Sequence, residues 1–134
     1  MFKTSFKNIT LYIFIKYLIF YVVLMFKNNN YMLIRIDELK TGGDWFYYLW
    51  IFLYLPIVST ILSSVPIYFS FKLKKNLLFT LLIGAVFIAE YFLYTYLAST
   101  TDRMNGVYLE IIGILIFLLF FYRHIVLIFR QQAK

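Results

Sequence analysis

In 134 residues, 63% of them hydrophobic and only 14% charged, there is room for one apolar bundle and no separate soluble domain. The absence of cysteine removes disulfides, thiolate chemistry and Cys metal sites. A formal net charge of +7 would suit nucleic acid, but the basic residues are placed as they are in proteins that orient across a membrane.

Four apolar stretches, 8–26, 45–71, 77–98 and 106–127, each reach or approach the ~20 residues needed to cross a bilayer. The first begins after two lysines, as a signal peptide does. No small-x-small cleavage site follows Val23-Leu24-Met25-Phe26-Lys27, however, and Lys16 interrupts the run, so an uncleaved span is expected. Next, Asn28-Asn29-Asn30 leads into residues 31–40, where Met32, Ile36 and Leu39 fall at helical spacing while Ile34-Arg35-Ile36-Asp37 alternates like a strand. Ten residues do not decide between the two. An amphipathic connector resting on the outer interface is the expected role of this short interfacial segment.

The second span opens on Trp45-Phe46-Tyr47-Tyr48-Leu49-Trp50, an aromatic belt suited to the water–lipid boundary. Pro56 and Pro66 each remove a backbone hydrogen bond, so a bend is expected. Pro56, Ser59, Thr60, Ser63 and Ser64 follow the i, i+3, i+4, i+7, i+8 pattern of one helix face, with Ser70 a heptad beyond Ser63. Such a hydroxylated face packs against other helices, lines a water path or binds a partner, and packing is the commonest of these. A turn with Lys72, Lys74 and Lys75 follows; lipid head groups are the ordinary contact of such a cluster.

The third span, Leu77 to Ala98, carries Glu90, and Tyr94 lies one turn further on. The fourth carries Glu110 on the face shared by Gly106 and Gly113, and ends near Arg123-His124. Glycines there let another backbone approach, so Glu110 is expected to face protein.

Charge sorting sets the orientation. Segments 1–7, 72–76 and 123–134 hold Lys3, Lys7, Lys72, Lys74, Lys75, Arg123, Arg130 and Lys134 with no acid. The other two loops balance Lys27, Arg35, Lys40 and Arg103 against Asp37, Glu38, Asp44 and Asp102. Lys/Arg excess marks the cytoplasmic side, giving a single-domain, all-α membrane protein: a four-transmembrane-helix bundle with both termini inside. The abundance of Phe, Tyr, Ile, Lys and Asn, with little Ala, fits AT-rich codons and a bacterial inner membrane, and it explains the aromatic content without a cofactor.

Three charges fall inside the spans. At 1.5 Å per residue Glu90 lies ~20 Å from the inner boundary, Glu110 ~24 Å and Lys16 ~10 Å. A charge at the bilayer centre costs at least ~2.5–3.5 kcal/mol, so such groups are paired, neutral or functional. For Lys16 the sequence favours snorkelling to the inner interface over a pair with Glu90, although the ~10 Å axial gap is near the summed reach of the two side chains. Glu90 is expected to hydrogen-bond to Tyr94 or to a hydroxyl of the second span. The two carboxyls serve as structural glue, as a proton or cation relay, or as anchors for a membrane partner.

His124 is solitary, and there is no nucleophile–base set, phosphate loop or spaced metal-ligand motif. No catalytic, metal or cofactor site is therefore expected, and no nucleic-acid partner. These features fit in-membrane protein–protein interaction, as an accessory or assembly subunit or an immunity-type partner. The alternative is a proton- or cation-conducting, or membrane-permeabilising, homo-oligomer lined by the serine face.

Overall fold

The computed structural model describes residues 3–29, 31 and 35–131. It is all-helical, with no strand among the described residues and four helices long and apolar enough to cross a membrane. These are Phe6–Asn28, Gly42–Ser70, Asn76–Ala98 and Met104–Arg130, called first to fourth below.

The helices overrun the apolar runs because capping chemistry lies just outside them. Ser5 Oγ accepts the Asn8 backbone N–H at 3.3 Å and starts the first helix, which ends on Asn29 in a left-handed conformation. The second helix begins with a reciprocal capping box: the Thr41 hydroxyl accepts the Asp44 N–H, and the Asp44 carboxylate accepts the Thr41 N–H. Before it, the chain makes a single 3-10 turn, Ile36–Glu38. Asn30, Met32 and Ile34, on which the helix-or-strand question partly rested, lie outside the described residues, as does Lys134.

Pro56 does more than interrupt a ladder. The turn preceding it, Trp50–Tyr54, is π-helical, and the Leu55 N–H bonds to the Trp50 carbonyl five residues back. In that register the next acceptor is the Ile51 carbonyl, and proline has no N–H to give it. Tyr21, from the first helix, fills the gap by donating its hydroxyl to Ile51 at 2.5 Å. The proline's own carbonyl accepts the Thr60 hydroxyl at 2.7 Å. Irregular backbone at membrane depth is thus re-satisfied from side chains, as an apolar surround demands.

The helices form a ring in chain order: the first packs on the second and fourth, and the third packs on the second and fourth. First and third are therefore diagonal. The first helix is the most enclosed, and its inward face is Ile9, Tyr12, Ile13, Lys16, Tyr17 and Phe20, each at most 2% exposed. Leu11, Phe14, Leu18 and Ile19 point outward. The side chains of this mid-helix stretch that can hydrogen-bond, Tyr12, Lys16 and Tyr17, all turn in among Ile9, Ile13 and Phe20, and the outward side is plain hydrocarbon.

The second helix follows the same rule. Ser59, Ser63, Ser64 and Ser70 are buried and Thr60 is half-buried, while Ile57, Val58, Ile61, Leu62, Val65 and Phe69 are exposed. The turn after it leaves Lys72, Lys74 and Lys75 exposed, with the Lys72 ammonium 4.4 Å from the Tyr68 ring centre.

Candidate functional site: a polar centre and a lateral slot

The polar centre is built across the diagonal. Lys16, from the first helix, forms an ion pair with Glu90 Oε2 on the third, and the two residues are 1% and 3% exposed. Glu90 Oε1 accepts two further hydrogen bonds, from Tyr17 at 3.1 Å and from Ser59 of the second helix at 2.5 Å. The ammonium lies 5.6 Å from the Tyr12 ring centre and 5.2 Å from that of Tyr17. Two helices thus supply the partners of a carboxylate carried by a third.

The fourth helix contributes space and a second carboxyl. A Cβ placed on Gly113 would meet Lys16 Cδ at 2.8 Å, so the lysine stem crosses the fourth helix in direct contact with its backbone. Tyr12 donates its hydroxyl to the Gly113 carbonyl at 3.0 Å. Three residues before Gly113, both carboxyl oxygens of Glu110 are buried and no donor reaches them. Lys16 and Glu90 are the charged groups within electrostatic reach of Glu110.

Two expectations are corrected here. Lys16 does not snorkel: its ammonium is turned into the bundle, where Glu90, Tyr12 and Tyr17 offer an anionic and aromatic cradle. Tyr94, buried at 3% exposure, is not a partner of Glu90; its ring packs edge-on against Phe20 at 5.1 Å, and Ser59 takes the carboxylate instead. Of the other expected residues, Ser63, Ser64 and Pro66 lie along the inward side of the second helix, away from the ion pair's hydrogen bonds. His124 is half-buried, its ring 6.2 Å from that of Phe71. Among the described residues no group of three or more His, Cys, Asp or Glu is placed to hold a metal ion.

Tyr12, Tyr17 and Tyr21 were not singled out from the sequence. Their signal was present: with Lys16 they recur at the i, i+4, i+5, i+9 positions of a single helix face.

Beside the polar centre, a cavity of about 280 Å³ opens between the second and third helices. Leu62, Pro66, Leu82, Ala85 and Ala89 line its sides, and Ser59, Ser63 and Glu90 supply its polar atoms. Ala85 and Ala89, one turn apart, are both exposed. Along the third helix the lining runs from Leu82 to Leu93, which is ~16 Å at 1.5 Å per residue. A modest volume over that length makes a shallow slot parallel to the helices, not a compact chamber.

Comparison with protein-family models, with curated proteins and with solved structures gives no match, so any functional reading rests on this chemistry.

Proposed function

We propose that this chain is a small integral protein of the bacterial cytoplasmic membrane that works by in-membrane protein–protein interaction, as an accessory or assembly subunit or an immunity-type partner. Its slot receives a transmembrane helix of another membrane protein. The observation that carries this reading is the slot's form: long, shallow and flanked by Ala85 and Ala89 on the exposed side of the third helix. Small residues let a second backbone approach closely, and close packing is the main source of helix association where lipid removes the hydrophobic drive. The occupant this shape fits is an apolar helix presenting large aliphatic side chains to the gap beside the alanines. Ser63, for which no hydrogen bond is seen among the described residues, is the hydroxyl it would meet.

In this reading both termini and the Lys72–Lys75 turn face the cytoplasm, and residues 31–40 rest on the outer interface. Reporter fusions after Gln131 and at Gly42 are expected to report opposite sides of the membrane; the same side at both would refute the orientation.

The conducting alternative has less behind it. The serine face is turned into the bundle and reaches the outside only at the slot, and Tyr12, Lys16, Tyr17 and Phe20 fill the axis. The deciding experiment is native mass spectrometry after gentle extraction, on the unaltered chain and on Ala85→Leu/Ala89→Leu. A second polypeptide at fixed stoichiometry is expected, with its retention cut about tenfold or more by the double substitution. The stability of the isolated bundle should change by no more than about 0.5 kcal/mol, as for other exposed sites. A ring of identical chains would favour the conducting reading. A hetero-complex indifferent to the substitutions would remove the slot as its basis.

A further inference from the structure

The interior of the bundle holds one more negative than positive group. Lys16 contributes one positive charge, and Glu90 and Glu110 contribute two carboxyls. The lysine is spent on Glu90, whose remaining oxygen is occupied by Tyr17 and Ser59. Glu110 has both oxygens buried and no donor. Around it, the first helix presents Lys16 and Tyr12, the third presents Glu90, and the Tyr12 hydroxyl is committed to the Gly113 carbonyl. A bare carboxylate in such surroundings, with neither counter-ion nor hydrogen bond, is the state that burial penalises most.

We propose that the bundle centre is a binding site for one exchangeable proton, carried on Glu110, whose occupancy sets which carboxylate Lys16 serves. With the proton bound, an O–H bond exists on Glu110, the interior is neutral and Lys16 belongs to Glu90. When that bond breaks and the proton leaves to solvent, the ammonium is shared between Glu90 on the third helix and Glu110 on the fourth. The contact of the lysine stem with Gly113, one turn from Glu110, places it between the two carboxyl-bearing helices and makes the exchange a matter of side-chain rotation. The ligand class is the proton rather than a metal ion, since among the described residues no group of three or more His, Cys, Asp or Glu is placed to hold one. This inference does not depend on the slot or on what occupies it.

Infrared difference spectroscopy of the whole chain in lipid nanodiscs tests it, through the carbonyl stretch of a protonated carboxylic acid and its shift in D2O. At neutral pH one buried protonated carboxyl is expected, fading as the buffer is made alkaline. Glu110→Gln, which keeps the side chain's shape, should abolish the band. Glu90→Gln should abolish it too, because Lys16 then pairs with Glu110. Lys16→Met should raise it about twofold, since neither carboxyl keeps a counter-ion. Absence of the band in the unaltered protein, or its survival in Glu110→Gln, would overturn the proton site. Survival in Glu90→Gln would overturn the exchange. The alkaline titration is read on the unaltered chain, so the test stands even if a variant does not fold.

Discussion

Lys16→Met alone is expected to destabilise the bundle by about 3–5 kcal/mol, and Lys16→Met/Glu90→Leu by much less. The single substitution leaves the Glu90 carboxyl, 3% exposed, with two hydroxyl donors and no counter-ion, so the group is costly whether it stays charged or must first take up a proton. The double substitution removes both charges and leaves hydrocarbon of similar bulk, so the desolvation that opposes the pair disappears with it. The asymmetry reflects how a buried pair works: its members are costly singly, and their attraction offsets that cost only when both are present. Reversible unfolding in mixed micelles, followed by circular dichroism across the four-member cycle, measures the coupling. Additive effects of the two single substitutions would mean that the pair carries no interaction energy.

Gly113→Ala is expected to cost about 1–3 kcal/mol, although alanine is the better helix former. The new methyl would stand 2.8 Å from Lys16 Cδ and 3.3 Å from Phe87 Cε1. Both neighbours are held: the lysine at its far end by Glu90, the phenylalanine by its edge-on contact with Phe117 at 5.9 Å. The matched control is Gly84→Ala on the third helix, where a Cβ meets nothing within 4 Å. There the propensity gain of up to ~1 kcal/mol stands unopposed, so the substitution should be neutral or stabilising. The same unfolding assay serves for both glycines, and a Gly113→Ala protein as stable as Gly84→Ala would show that the Lys16 stem has room to move.

The four helices were legible because apolar runs of membrane length are a strong signal, and their ends shifted by two or three residues where Ser5, Thr41 and Asp44 add capped turns. The π-turn was not legible. Pro56 announces a missing donor, but the register the backbone adopts depends on Tyr21 being there to bond Ile51, a contact between residues 30 positions apart. Lys16, Glu90 and Glu110 stood out through the cost of charge in an apolar span. Their pairing did not, because depth along each span treats the helices as separate rods. The first helix is almost uniformly apolar, so nothing in its hydrophobic pattern says which face turns inward; the tyrosines flanking Lys16 do. The slot was invisible for a related reason, since it belongs to neither helix alone and exists only once Ser63 and Ala89 face a common gap.

The Lys16–Glu90 pair spans 74 residues of sequence. Ribosomes add roughly 5–20 residues per second, so the first helix emerges some 4–15 s before its counter-charge has been made. During that interval the ammonium has no counter-charge on the third helix, and reaching toward the nearer interface is the arrangement open to it. The inward turn of Lys16 is thus a late event of assembly, completed only once the third helix is in place.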